Sequence, residues 1–154
     1  MSTIVRWSTI GVCCVAVAGL SPALANATPP SGVTAETLAH VSFPLLPGSA
    51  EIAGTDFTAR KITIAPGGTT GWHYHDGPVY AYVESGVLTR TLHDCTTEST
   101  PAGQIVTEEV DANHVHEGTN LGSVPVVLYA AYIEPPGKPF AEDAAAPPCA
   151  VAAE

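Results

Sequence analysis

Basic residues are scarce in this chain of 154 residues: five Lys and Arg stand against fifteen Asp and Glu, a formal net charge of −10 with histidines neutral. A surface of that sign repels nucleic acid and anionic membrane, so neither is expected as a partner. Cysteine is equally sparse, with four in all, and Cys13 and Cys14 lie in the N-terminal apolar run. Helical periodicity is missing too; no stretch beyond that run sustains it over three turns. There is no Gly-rich phosphate loop, no Ser/His/Asp spacing and no nucleophile elbow.

The N-terminus reads as a targeting segment. Met1–Arg6 carries one positive side chain, an apolar run extends from Trp7 to Leu20, and small residues alternate through Ala23-Leu24-Ala25-Asn26-Ala27. That is the layout of a secretory signal peptide, residues 1–27, with cleavage after Ala25 or Ala27. The run is too short to cross about 30 Å of hydrocarbon, and no stop-transfer flank follows. A secreted or cell-envelope (periplasmic) destination is expected, with no membrane association once the segment is removed. Cys95 and Cys149 then remain. In an oxidising compartment an even pair is expected to be bonded, and closure of that long loop would stabilise by about 4 kcal/mol while tethering an Ala/Pro-rich tail, residues 139–154. The alternative is two free thiols, one of them a metal ligand.

Between these ends the pattern is all-β. Residues 28–56 form an extended lead-in with an edge strand around Glu36–Ser42. From Phe57 to Lys138 short strands alternate with Gly/Pro turns. Thr58–Ala65 ends at Pro66-Gly67-Gly68; Val79–Glu84 and Val87–His93 flank Ser85-Gly86 like a hairpin; Gln104–Val110 follows Pro101-Ala102-Gly103; His114–Gly118 is short; Val124–Glu134 ends at Pro135-Pro136-Gly137. Such punctuation indicates a sandwich or a closed barrel.

Chemistry is concentrated in the histidines. Four of the six form two His-x-His pairs, His73-Tyr74-His75 and His114-Val115-His116. On a strand, residues i and i+2 share a face, so each pair aims two imidazoles one way. Two neutral imidazoles at that spacing take adjacent positions around one metal, and a third from a neighbouring strand completes a site with open positions. His93 and His40 have no partner pattern. Tyr74, Tyr80 and Tyr82 share the opposite parity and should pack outside the bore; Trp72, beside His73, is expected to pack too.

The order Gly67, five residues, His73-Tyr74-His75, three residues, Val79, six residues, Gly86 resembles the first motif of the cupins. His116, three residues, Asn120 resembles the close of the second. The resemblance spans roughly Arg60–Pro135 and points to the small, secreted, single-domain bacterial type. It implies a jelly-roll β-barrel over residues 57–138, with His73, His75 and His116 holding a divalent transition metal (Fe, Mn, Zn, Cu or Ni), Gly67 and Gly86 at turns, a small-molecule ligand or substrate, and a homodimer.

Two departures alter that expectation. The family's glutamate ligand falls on Val79, and Glu84 has the wrong parity to replace it, so an all-histidine site is expected, more positive and weaker than the usual one. The family's Pro-x-Gly is Asp111-Ala112-Asn113, with a positive-φ turn expected at Asn113. His114 is a further candidate, as fourth ligand, outer donor or plain turn residue. Gln104 is another, facing either the bore or the surface. Asn120 is expected to close a turn by bonding backbone. Functionally the pattern leaves a metal-dependent oxygenase or oxidase, a non-catalytic binding protein, and a barrel that has lost its metal.

Overall fold

The structure, a computed structural model, describes residues 27–43 and 54–151; the signal-peptide expectation lies outside them apart from Ala27. Among the described residues ten strands and one helical turn follow in order: β1 Ser31–Phe43, β2 Thr55–Thr69, β3 His73–Tyr74, β4 Val79–Ser85, β5 Val87–Thr91, β6 Thr97–Pro101, β7 Ile105–Glu108, β8 Glu117–Thr119, β9 Val126–Glu134, β10 Glu142–Asp143 and α1 Pro148–Val151. The main sheet runs β6-β5-β8-β2-β9-β4-β7, with β1 paired to β2. Backbone bridges from His73 to His116, just before β8, and from His75 to Val110, just after β7, tie the β3 segment between those strands, and the sheet forms a nearly closed barrel.

The interior follows from strand alternation. In β4, Val79, Ala81 and Val83 are buried while Tyr80 and Tyr82 face out, 45% and 43% exposed. The parity expected for these tyrosines therefore holds. β9 does the same with Val126, Leu128, Ala130 and Tyr132 inside. One face of each strand is thus removed from water and the other left in it, which is what an antiparallel barrel wall requires. Trp72 is buried as well.

Three local expectations are corrected. The edge strand expected around Glu36–Ser42 extends over all of β1, because its backbone pairs with β2 from Ser31↔Thr69 to Phe43↔Thr55. Ser85-Gly86 does not make a hairpin. β4 pairs with β7 and β9, whereas β5 pairs with β6 and β8. Gly86, at φ 76°, turns a corner instead; opposite it the Ala102 N–H donates to the Gly86 carbonyl and the Gly103 N–H to Val83. The two turn signals are matching bends in one long ribbon, β4-β5 against β6-β7, whose real hairpin is at Leu92–Thr96 with Cys95 at φ 63°. Two Gly-containing turns that lie side by side let both strands cross from one sheet to the other, a device local sequence cannot tell from a hairpin. Finally, the positive φ near the second motif belongs to Asp111 (86°), not to Asn113. The Asp111 carboxylate accepts from the Asn113 N–H at 2.7 Å, so Asp111 holds its own turn.

The tail contributes to a separate two-stranded sheet beside the main one. β10 pairs with β3, matching Glu142 with Tyr74 and Asp143 with His73. Beyond it Cys149 is bonded to Cys95 at the tip of the ribbon, with Cα atoms 6.2 Å apart.

Candidate metal centre

His73 and His75 arrive on and just after β3, and His116 just before β8. The pairing that aligns them is short: the His73 N–H donates to the His116 carbonyl, and the His116 N–H to that of His73, both at 2.9 Å. The three rings meet inside the barrel, with centroids 4.5 to 5.2 Å apart. All three residues are buried.

A fourth group joins them that the sequence reading omitted. Glu108, the last residue of β7, brings its carboxylate to 2.9 Å from His75 Nε2 and 3.6 Å from His116 Nε2. One ligand atom from each of His73, His75, Glu108 and His116 lies within 4.8 Å of all the others. The expectation of an all-histidine site is therefore corrected. The reason is in the register: Glu108 is paired directly with Val79 across the β4–β7 ladder, and directly opposed residues share a face with Cβ atoms about 5 Å apart. The carboxylate missing at Val79 is supplied one strand over. A signal was present, since Glu108 and Glu109 are adjacent and one of two consecutive strand residues must face inward. Ile105-Val106 hid which, being apolar at both parities; Val106 is the buried one and Ile105 is 69% exposed.

The other candidates are placed elsewhere. His114 Nδ1 donates to the Val110 carbonyl at 2.7 Å, and its Nε2 lies 3.2 Å from Glu109. It joins Arg90, His93 and Glu109 in the lining of a separate polar pocket that His116 also borders. Gln104 is exposed at the corner, its carbonyl accepting from Val83. Asn120, buried, donates from Nδ2 to the carbonyls of Ile64 and Val124 and accepts from Gly122, closing its turn as expected.

Hydrogen bonding sets the protonation of the three rings. Nδ1 of His73 lies 2.8 Å from the Gly71 carbonyl, that of His75 is 2.7 Å from Phe140, and that of His116 is 2.9 Å from His114. A carbonyl only accepts, so each Nδ1 carries the proton and each neutral ring presents a bare Nε2 lone pair to the interior. The Nε2 atoms of His75 and His116 are buried against the Glu108 carboxylate. Lone pairs and a carboxylate gathered in this way repel one another unless a cation lies between them. In the unloaded protein a proton serves: burial would lower His116, but the hydrogen bond and charge of Glu108 outweigh it and raise its pKa. Burial alone would raise Glu108, yet His116 and His75 hold it well below the usual range. His73 goes the other way, lowered to about 4 by burial and by the neighbouring His116 and His75.

These residues also fit a metal. Bonds of about 2.0–2.2 Å to nitrogen and oxygen allow ligand atoms up to roughly 4.4 Å apart, so the 4.8 Å spread needs only a small contraction. The Nδ1–carbonyl bonds are the outer contacts that orient ligating imidazoles. Beside the cluster is a cavity of about 210 Å³, bordered by His73, His75 and Glu108 and walled largely by apolar side chains.

Comparison with known proteins agrees with this architecture. The Cupin domain family model matches residues 60–132. The polyketide cyclase RemF from Streptomyces resistomycificus superposes with a TM-score of 0.52 at 20% identity, covering 75% of this chain and 73% of that one. A cupin domain from Bordetella pertussis Tohama I gives 0.50 at 17%, covering 71% and 99%. The Cnp3 cupin domain of Schizosaccharomyces pombe gives 0.50 at 16%, covering 76% and 74%. At such identities the likeness is one of fold. No curated protein matches the sequence. With the motif, the barrel and the family match coinciding on the same residues, residues 60–132 form a cupin domain with a jelly-roll barrel fold.

Proposed function

We propose that this protein is a secreted cupin that holds one divalent transition metal ion on His73, His75, Glu108 and His116, and binds or transforms a small molecule in the adjoining cavity. The observation that carries the reading is the common orientation of the three imidazoles. Each is fixed at Nδ1 by a backbone carbonyl, and the Nε2 atoms of His75 and His116 face the Glu108 carboxylate, with a ligand atom of His73 within 4.8 Å. When bound, such an ion supplies Lewis acidity at the positions its protein ligands leave open. The chain's own contribution is orientation and exclusion of water: Val79, Ala81, Leu128 and Ala130 wall the cavity and Phe140 borders it. That closeness of an apolar cavity to the ligand atoms favours, as a second reading, an oxygenase or oxidase acting on the bound molecule. Export is supported by the leader pattern of residues 1–27 and by the Cys95–Cys149 bond, which persists in oxidising compartments.

Metal analysis of protein purified from the culture supernatant or periplasm without chelator is the direct test. About one equivalent is expected, lost in His73→Ala, His116→Ala and Glu108→Gln but retained in His114→Ala. Metal that stays substoichiometric after reconstitution with Fe, Mn, Cu, Ni and Zn in turn would refute the assignment. N-terminal sequencing of the same material should begin at Asn26 or Thr28; an intact Met1 would refute export.

A further inference from the structure

The cavity beside the cluster contains one feature that metal binding leaves unused. Arg60 lies on the inner face of β2, in register with the cavity-lining Ala130, and borders the cavity itself. Its guanidinium is stacked against Phe140, with Cζ 4.2 Å from the ring centroid, and lies 6.0 Å from that of Tyr132. Its Nε is buried and has no hydrogen-bond partner.

Among the described residues Arg60 also has no carboxylate within ion-pair distance. In a chain with fifteen acidic side chains that is a conspicuous vacancy. Arg90 is paired with Glu98 at 2.6 Å and Lys138 with Asp76 at 3.1 Å. Stacking on an aromatic ring accounts for the stem and one face of the guanidinium. The Tyr132 hydroxyl accepts a hydrogen bond from the guanidinium, but the buried Nε is left without an acceptor, which is costly. A guanidinium presents its donors as a planar fork that matches a carboxylate.

We infer that the molecule received by this cavity is a small carboxylic acid anion with an apolar single-ring body, and that Arg60 is the residue that selects it. The apolar walls take the ring, Phe140 and Tyr132 hold the guanidinium in place, and the carboxylate occupies the in-plane donors that the protein leaves open. Size agrees: a cavity of about 150 Å³ admits benzene, and this one, at about 210 Å³, has room for a ring and its carboxylate. The inference deepens the proposed function and rests on it for the cavity's role as the ligand site.

Benzoate and benzamide, which share shape and differ in charge, serve as probes in calorimetric titrations of the full mature protein, zinc-loaded and metal-stripped. Benzoate is expected to bind at least tenfold more tightly than benzamide in both forms. Arg60→Gln should erase that preference while changing benzamide affinity less than twofold, with zinc content unchanged. Arg60→Lys, which keeps the charge and loses the fork, should weaken benzoate at least threefold, and decides the matter if the glutamine variant does not fold. A benzoate affinity no better than that of benzamide, absence of binding by either probe, or a preference that survives Arg60→Gln overturns the inference. The last result, where it is confined to the zinc-loaded form, would mean that zinc itself takes the carboxylate. Zinc loading without an Arg60-dependent preference leaves the proposed function standing and removes this one. Arg60-dependent benzoate binding to a protein that takes up no metal does the reverse.

Discussion

At the scale of single residues, the site is a problem in charge. Glu108 sits among three imidazoles whose Nδ1 protons are already committed to carbonyls, so the remaining lone pairs demand a cation. Without metal that cation is the proton favoured on His116, and the metal must displace it. Metal affinity should therefore rise with pH through the raised His116 pKa, with proton release on binding that calorimetry in buffers of different ionisation enthalpy would reveal; proton-neutral binding at pH 6 would contradict it. His73 governs the unloaded protein at lower pH. Its folded pKa of about 4 lies below the ordinary 6.5, so the unfolded chain binds the extra proton between those values. Stability is therefore lost as pH falls from 6.5 to 4, by about 3 kcal/mol in the limit. His116 does not offset this, because a raised pKa contributes its full stabilisation below 6.5 and loses it only above. Urea unfolding in chelator at pH 6.5 and 4.5 would measure the loss; in His73→Gln the dependence over that window should shrink.

At the scale of elements, the informative pair is β4 with β7. Val79 and Glu108 oppose each other in the ladder, and a carboxylate from either strand can enter the same space. Val79→Glu alone would set two carboxylates side by side and should weaken folding, whereas Val79→Glu combined with Glu108→Val should restore metal binding that Glu108→Val abolishes. Equal loss of metal in the single and double variants would show that the two positions are not interchangeable. The tail makes a similar point. Phe140 supplies the carbonyl that orients His75, β10 pairs with β3, and the disulfide anchors the end. Cys149→Ser should cost about 4 kcal/mol on the chain-entropy estimate and weaken metal binding roughly tenfold, the usual effect of losing an outer-shell partner. Unfolding curves and a competitive metal titration would check both; unchanged affinity would mean that β10 docks without its tether.

At the scale of the molecule, fold and site are stabilised together, since the four groups come from β7 and from segments around β3 and β8 that only the closed barrel brings together. A ligand that binds only the folded state stabilises by about 4 kcal/mol at a thousandfold excess over its Kd. For a domain of this size that is a rise in Tm of about 10 °C. Melting in the presence of EDTA and of excess zinc would test it, and identical transitions would argue against a preassembled centre.

Much of this was legible in the residues themselves. Alternation in 79–84 settles which side of β4 is wet, because each side chain's face follows from its position in the strand. The two His-x-His pairs announce inward-facing imidazoles, and an even cysteine pair announces the tail's anchor. What only the tertiary structure decided depends on partners distant in the chain. Ser85-Gly86 is a corner because Ala102-Gly103 lies beside it, and His114 leaves the cluster because Val110 and Glu109 hold it away. The missing carboxylate was present all along in Glu108, but its address is a cross-strand register with Val79, and no periodicity within one strand encodes the register of two.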